Sequence, residues 1–297
     1  MKKSKSFFAV FTVLLITSCL GTPELYDDKE LRSLAPIAST TLITDDLEAQ
    51  REIMMAFAKG YPGKINSVEF IDNDWTMLVK GMRFFYANGR FLPEALREQW
   101  EDYAPYDFYA YPWLGTEKQR QAVYRFPVYS TGSSFLFDAL YASPAEDDSW
   151  DLQVKYSFLG VKMLVHSDIE ALLDNVSQQI LDTAKTDPSI NQWIGELQTS
   201  PPSFGWNWRE IVNTNRRSNH SYGTAVDLLP ADLAGRRTYW QWHQNKKAES
   251  DVTYYFPPAA VIQAFEDNGF IWGGNWDLID TMHFEYRPEI LILNGLR

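Results

Sequence analysis

Two short segments near the C-terminus carry the side chains best suited to chemistry. The first, residues 218–227, reads Ser-Asn-His-Ser-Tyr-Gly-Thr-Ala-Val-Asp and contains His220 and Asp227. The second, residues 280–285, reads Asp-Thr-Met-His-Phe-Glu and places Asp280 three positions before His283. A catalytic zinc site needs three protein ligands, an open fourth position and a nearby base. The two segments therefore predict a zinc site with His220, Asp227 and His283 as ligands and Asp280 beside them.

Asp227 has a separate argument for a ligand role. It lies within the apolar, strand-like run 225–229, where a lone charge is costly unless it is paired or coordinated. The alternative is a carboxylate at a strand end that accepts hydrogen bonds from the backbone. Gly223 lies between His220 and Asp227, so a turn or two short strands can bring both side chains to one metal ion.

Asp280 and His283 require a bend in the backbone if they serve one site, because residues three apart on a straight strand point to opposite faces. Gly273, Gly274 and the residues 275–277 just upstream permit such a bend. Asp280 would then accept the proton of the attacking water, whose pKa zinc lowers to about 7. The other two histidines, His166 and His243, are predicted to have no metal role.

These motifs carry a family resemblance. Ser-x-His-x-x-Gly-x-Ala-x-Asp followed by Asp-x-x-His resembles the zinc D-alanyl-D-alanine carboxypeptidases of the VanY and VanX type, and also the related L-Ala-D-Glu endopeptidases of phage and bacterial cell-wall lysis. The likeness covers roughly residues 165–297 and includes segments 206–209, 269–276 and 283–288. It implies a small α+β fold with a central antiparallel sheet, of the VanY/hedgehog-like kind, and zinc held by the residues that match His220, Asp227 and His283. It also implies a catalytic carboxylate at Asp280, where many members have Glu.

The resemblance further implies an arginine upstream of the first histidine that steadies the carbonyl or carboxylate of the substrate. Arg209 is our choice, because segment 208–211 precedes the motif as the family's arginine segment does. Arg216 and Arg217 are the alternatives. Ser218 is predicted either to shape the loop or to donate a hydrogen bond to substrate.

Residues 1–18 have the pattern of a secretory signal peptide. Lys2, Lys3 and Lys5 form a basic start, and the apolar run 7–16 is shorter than the roughly 20 residues that a spanning helix needs. The segment ends Leu-Ile-Thr-Ser-Cys, which resembles the bacterial lipobox, and Cys19 is the only cysteine of the chain. We therefore predict lipidation of Cys19, with a plain signal peptide as the alternative. The protein would then be lipid-anchored in the bacterial cell envelope, facing the periplasm or the exterior.

Charge and length limit the remaining possibilities. The chain has 297 residues, with 27 Lys and Arg against 39 Asp and Glu, and a formal net charge of −12. Loss of the leader lysines would make it more acidic still, so the charge argues against a nucleic-acid partner. The expected partners are peptidoglycan stem peptides and, through the lipid, a membrane.

The elements that position the motifs can be predicted from periodicity and turn residues. Together they indicate an α+β fold with four parts: a leader at 1–18, a tether at 19–46, an N-terminal α+β region of unknown role at 47–165, and a zinc peptidase domain at 166–297. The predicted elements are helices at 46–59, 92–100, 167–185, 190–197 and 258–268, and strands at 67–71, 75–79, 83–86, 135–137 and 154–165, with a capping box of Ser167 and Glu170 opening the third helix.

The sequence lacks motifs that other hydrolase mechanisms require. No lysine has a serine three positions before it, and the sequence contains neither Gly-x-Ser-x-Gly nor His-Glu-x-x-His. The favoured function is D-Ala-D-Ala carboxypeptidase activity, and the alternatives are L-Ala-D-Glu endopeptidase activity and a non-catalytic, cell-wall-binding lipoprotein. The motifs are shared by both peptidase types, so they do not specify which bond is cut.

Overall fold

The computed structural model of the chain describes residues 44–106, 111–112, 134–198, 204–211, 216–239, 253–276 and 279–297. The predicted leader, Cys19 and His243 lie outside these residues, as does most of the predicted tether. Across the described ranges, no helix combines the length and the apolar character needed to cross a bilayer.

The first part of the described chain is a helix followed by a four-stranded antiparallel sheet. Asp46 caps the helix by accepting a hydrogen bond from the Glu48 amide at 3.0 Å. The strands pair in chain order, and a 3₁₀ segment, Glu94–Asp102, follows the last of them. The elements are α1 (Leu47–Gly60), β1 (Ile65–Ile71), β2 (Asp74–Val79), β3 (Met82–Phe85) and β4 (Leu92–Pro93).

The rest of the described chain places a hairpin and a three-stranded sheet among helices. The hairpin pairs β5 with β6, and the small sheet has the antiparallel order β7-β9-β8. Short antiparallel sheets with flanking helices confirm the predicted α+β class. The elements are α2 (Phe135–Leu140), α3 (Glu146–Trp150), β5 (Gln153–Phe158), β6 (Val161–His166), α4 (Ser167–Ala184), α5 (Pro188–Gln198), β7 (Ala225–Asp227), α6 (Ala259–Asp267), β8 (Phe270–Trp272), β9 (His283–Tyr286) and α7 (Pro288–Leu293).

Two local predictions are wrong. Residues 135–137 begin helix α2 and are not a strand, because Leu136, Phe137 and Leu140 bury their side chains from one face of a helical turn. The predicted capping box at α4 is not formed either. The cap is His166, whose Nδ1 accepts a hydrogen bond from the Asp168 amide at 3.0 Å.

Two hydrophobic clusters hold these elements together. One combines the β5–β6 hairpin, helices α4, α5 and α6 and the three-stranded sheet. The other combines α1, the N-terminal sheet and α2, and it includes Tyr222 from the first motif. Tyr286 of β9 packs against both clusters. The strand that carries His283 is therefore in contact with the N-terminal region, and the described residues group as one unit. The division at residue 165 stays a prediction.

Strand alternation in β7 and β9 separates core residues from site residues. Val226 pairs with Phe284, and both are fully buried in the first cluster. Asp227 pairs with His283 across the same antiparallel ladder. Because successive side chains of a strand point to opposite faces, Asp227 and His283 share the face away from that cluster.

Gly223 ends the 3₁₀ turn that carries His220, and the turn requires glycine at this position. Its φ is +70°, in the left-handed region that side chains with a Cβ rarely adopt. A Cβ here would lie 1.9 Å from Oε1 of Gln153 and 2.7 Å from the amide nitrogen of His166. Only glycine at position 223 therefore allows the turn to lie this close to the β5–β6 hairpin.

Replacing Gly223 with alanine is expected to destabilise the protein by about 3 kcal/mol or more, since backbone strain and overpacking act together. Denaturant unfolding of the purified variant measures this. Gly195→Ala is the matched control: a Cβ at this helical position meets no atom within 4 Å. We expect that change to be neutral or slightly stabilising. Equal stability of the two variants would contradict the packing described here.

Candidate metal centre

Three side chains from the two sequence motifs meet at one point. Nε2 of His220 lies 3.2 Å from Oδ1 of Asp227 and 3.1 Å from Nδ1 of His283. The last two atoms are 2.9 Å apart. All three side chains are buried. The structure thus brings together the residues that the sequence predicts as metal ligands, and each offers one ligand atom to a common centre.

Local structure fixes where each of these side chains points. His220 lies in the 3₁₀ turn Asn219–Tyr222, whose cap is Ser218 through a hydrogen bond from the His220 amide to Oγ at 3.3 Å. Asp227 and His283 face each other across the β7–β9 ladder. The bend expected between Asp280 and His283 is a turn, in which the His283 amide donates to the Asp280 carbonyl at 3.3 Å.

The second nitrogen of each imidazole has an acceptor of its own. His220 donates from Nδ1 to the carbonyl oxygen of Gly205 at 2.6 Å, and His283 donates from Nε2 to Oε2 of Glu285 at 3.0 Å. These partners select the tautomers that carry no hydrogen on the converging nitrogens. With both converging nitrogens free of hydrogen, two lone pairs and a carboxylate oxygen would face one another, so the arrangement requires either a metal cation or an added proton.

The separations fit a small tetrahedral ion. Bonds of about 2.0–2.1 Å to nitrogen and oxygen at tetrahedral angles place neighbouring ligand atoms roughly 3.3 Å apart. The three distances between the ligand atoms, 2.9, 3.1 and 3.2 Å, are close to that value. Imidazole nitrogen and carboxylate oxygen are also donors that zinc accepts. The residues present therefore fit a zinc ion with three protein ligands.

The pKa values of Asp227 and His283 reflect the same close approach of the three side chains. Burial alone would raise the pKa of Asp227, but His220 and His283 outweigh it and hold this pKa far below its usual range. Burial alone would lower the pKa of His283, but hydrogen bonds to Asp227 and Glu285 raise it to about 10. In the metal-free protein a proton on His283 therefore supplies the positive charge that the buried carboxylates require.

Zinc binding should release this proton. Because the pKa of metal-free His283 lies near 10, the apparent zinc affinity is expected to rise about tenfold per pH unit between pH 6 and 8, from this one group. Competition with a chromophoric chelator at several pH values measures the slope. Affinity that does not change with pH would contradict the protonated state of the metal-free site.

Asp280 opens the turn that leads to His283, and the charges of His283 and Asp227 act on its carboxyl. Burial raises the pKa of its carboxyl to about 7; the charge of His283 opposes this shift, that of Asp227 adds to it, and that of Arg209 opposes it. Its Oδ1 is buried and has no hydrogen-bond partner among the described residues. A buried oxygen without a partner next to converging ligands is suited to contact a reacting molecule. A cation at the centre would favour its ionised form.

The three arginines considered from sequence occupy different environments. Arg209 is exposed, and its charge acts on the Asp280 carboxyl. Arg217 donates to Oδ1 of Asp138 at 2.5 Å and lies 4.2 Å above the Trp208 ring. Burial, with the charge of Arg287, lowers the pKa of Arg216 to about 10. Arg209 is therefore the arginine that combines exposure with a charge effect on Asp280.

Two more of the sequence assignments can be placed. Ser218 is buried and caps the turn that bears His220, so the structure gives its hydroxyl a local role. Its substrate contact stays a prediction. His166 is buried, caps α4 through Nδ1 and has Nε2 3.3 Å from the carbonyl oxygen of Tyr141.

Sequence reasoning missed the residues that hold the ligands in place. Glu285 accepts hydrogen bonds from His283 and from Nδ2 of Asn219, the latter at 2.7 Å. Arg287 lies 3.3 Å from Oε1 of Glu285. Burial alone would raise the pKa of Glu285, but His283 and Arg287 lower it to about 2. The available signal was the alternation His-Phe-Glu-Tyr-Arg, which places these charged residues on one face of β9 and its extension.

Comparisons with known proteins agree with the site. Residues 212–286 match the family described as D-alanyl-D-alanine carboxypeptidase, which confirms the resemblance stated from the motifs. Residues 53–108 match a family described as a domain of unknown function. Searches of curated proteins and of solved structures gave no match.

Proposed function

Because residues 212–286 match the family described as D-alanyl-D-alanine carboxypeptidase, we propose that this protein is a zinc peptidase that hydrolyses a bond in the stem peptide of peptidoglycan, with the terminal D-Ala-D-Ala bond as the favoured target. The observation that carries the proposal is the convergence of donor atoms from His220, Asp227 and His283 beside the unpartnered oxygen of Asp280. A cluster of polar side chains that only stabilised the fold would not need a second carboxylate, that of Asp280.

The ligand set provides the Lewis-acid part of the chemistry. A zinc ion held by His220, Asp227 and His283 would polarise the scissile carbonyl and make water a better nucleophile at neutral pH. All three ligand side chains are buried, which shields the centre from bulk solvent. Gly205 and Glu285 hold the two imidazoles in the tautomer that leaves the ligand nitrogen free of hydrogen.

Asp280 provides the proton transfer. As a carboxylate it takes a proton from the attacking water, and as a carboxylic acid it returns that proton to the leaving amine. Because the pKa of its carboxyl in the metal-free site is about 7, the ionised and protonated forms have similar free energies near neutral pH. The positive charge of Arg209 favours the ionised form that begins the cycle, and a cation at the centre would act in the same direction.

Arg209 provides substrate recognition. Its backbone is fixed to the first motif, since its amide donates to Oγ of Ser221 at 2.9 Å and its carbonyl accepts from the Ser218 amide at 3.1 Å. Its side chain is exposed. A guanidinium on this rigid base can pair with the terminal carboxylate of a D-Ala-D-Ala peptide or with the scissile carbonyl.

The location of the protein is part of the same proposal. The lipobox-like end of the leader assigns a lipid to Cys19, which would hold the folded part in the cell envelope beside peptidoglycan. Incorporation of a radiolabelled fatty acid into the wild type but not into Cys19→Ala is the expected result, and equal labelling of both would exclude this anchor.

Digestion of purified peptidoglycan and of a stem pentapeptide ending in D-Ala-D-Ala tests the activity. We expect mass spectrometry to show loss of one D-Ala, inhibition by a chelator and recovery after zinc is added back. Cleavage between L-Ala and D-Glu instead would assign the endopeptidase alternative. Binding to peptidoglycan without any cleavage, in a sample with one zinc per chain, would contradict the enzyme and assign a binding lipoprotein.

A further inference from the structure

Glu289 is a buried carboxylate that the proposed reaction does not use. It lies in helix α7, just after the strand that carries His283, and its side chain is fully buried. It accepts hydrogen bonds from Nε of Arg287 at 2.5 Å, from the hydroxyl of Tyr61 at 2.7 Å and from the hydroxyl of Tyr106 at 3.1 Å. A buried charge is tolerated only with such compensation, so these contacts are a built network.

Arg287 joins this network to the metal centre. Its Nε faces Glu289, and its Nη1 lies 3.3 Å from Oε1 of Glu285. The other oxygen of Glu285 accepts a hydrogen bond from Nε2 of His283 at 3.0 Å. The guanidinium also lies 4.9 Å from the centroid of the Tyr106 ring. A continuous chain of charged hydrogen bonds therefore runs from two tyrosine hydroxyls to the imidazole of a metal ligand.

The two tyrosines come from the part of the chain that has no counterpart in the peptidase motifs. Tyr61 follows helix α1, and Tyr106 follows the N-terminal sheet. Both lie in the segment 53–108 that matches a domain of unknown function. Tyr61 is separated from Glu289 by 228 positions in sequence. The N-terminal region is thus joined to the candidate metal centre through Glu289, Arg287 and Glu285.

We infer that Tyr61 and Tyr106 are positioning residues for the metal centre, acting through Glu289, Arg287 and Glu285 on the orientation of His283. The inference rests on the zinc site of the proposed function. Partners one step beyond a metal ligand fix its ring orientation and its tautomer. Glu285 serves as this partner of His283, and Arg287 orients Glu285. Glu289 in turn orients Arg287, and the tyrosine hydroxyls complete the compensation of its charge.

This assigns a role to the N-terminal region: it completes the peptidase site. The expected consequence is that removing the two hydroxyl groups weakens zinc binding although neither tyrosine touches the ligands. The double variant Tyr61→Phe/Tyr106→Phe is expected to bind zinc about threefold more weakly, less than the roughly 10–100-fold typical of groups that bond the ligand itself, because the effect passes through three residues. Its cobalt-substituted form is expected to show a changed visible absorption spectrum, because the ligand field depends on how His283 is held.

Tyr156→Phe is the matched control. Its hydroxyl also donates to a carboxylate, Oδ1 of Asp174 at 2.8 Å, but this pair lies between β5 and α4 and joins the network described above at no atom. Zinc affinity and the cobalt spectrum should equal those of the wild type. Melting temperatures of all metal-free variants separate loss of fold from loss of metal affinity.

A double-mutant cycle on zinc affinity decides between positioning and general loosening of the fold. Glu285→Gln removes the link, so Tyr106→Phe should have little further effect on the zinc dissociation constant in that background. Two outcomes would overturn the inference. In one, the losses of zinc affinity caused by Glu285→Gln and by Tyr106→Phe multiply in the combined variant. In the other, the Tyr61→Phe/Tyr106→Phe protein binds zinc with wild-type affinity. If that double variant does not fold, the cycle on Tyr106→Phe alone gives the same decision. A wild-type protein that binds no zinc would instead overturn the proposed function.

Discussion

Replacing Asp280 with asparagine is expected to lower kcat for peptide hydrolysis by about 10²–10⁴-fold while zinc stays bound. The substitution preserves the size of the side chain but removes its capacity to accept and return a proton. Asp280 contributes no atom to the converging ligand set, so the zinc dissociation constant should remain close to the wild-type value. Steady-state kinetics on the stem pentapeptide and the zinc content of the same sample measure both quantities.

Asp267→Asn is the control for this change. Asp267 is an exposed carboxylate at the end of α6, and its Oδ1 accepts a hydrogen bond from Gln263. Its replacement should alter neither kcat nor zinc content. Full activity of Asp280→Asn would remove the proton-transfer assignment. Loss of zinc together with activity in that variant would show that Asp280 acts on the metal centre rather than on the proton.

Replacing His283 with alanine is expected to abolish both tight zinc binding and activity. Only His220 and Asp227 would remain as ligands, so the loss of zinc affinity should exceed the roughly 10–100-fold typical of an outer partner. The change also removes the hydrogen-bond donor of Glu285, a buried carboxylate that then depends on Asn219 and Arg287. Chelator competition and peptide hydrolysis at one equivalent of zinc measure the result.

The histidine control is His166→Asn. His166 caps helix α4 from outside the metal centre, and asparagine is a good residue at that cap position. Its zinc affinity should match the wild type. A His283→Ala protein that binds one zinc ion as tightly as the wild type would show that the ion is held elsewhere.

The convergence of the three candidate ligands could be predicted because their signal is local. His220 and Asp227 are joined by one turn and one short strand, and the apolar residues around Asp227 made a lone charge there improbable. The pairing of Asp227 with His283 depends on a strand contact, but the two motifs each carry enough unusual polar residues to indicate a common site. The α+β class followed from alternation and helical periodicity in the same way.

The outer network could not be predicted because its contacts are distant in sequence. Nothing near Tyr61 or Tyr106 indicates that their hydroxyls meet Glu289, and the Tyr61 contact depends on the packing of α1 against α7. The wrong strand at 135–137 has a related cause. Phe-Leu-Phe is typical of a strand, but packing of α2 in the second cluster decides its conformation.

The central claim is that His220, Asp227 and His283 bind one zinc ion. Diffraction at the zinc absorption edge from crystals grown with one equivalent of zinc tests it most directly. We expect a single strong anomalous peak, bonded to Nε2 of His220, Nδ1 of His283 and Oδ1 of Asp227 at about 2.0–2.2 Å. A peak at other residues, or none in protein whose fold is intact, would contradict the claim.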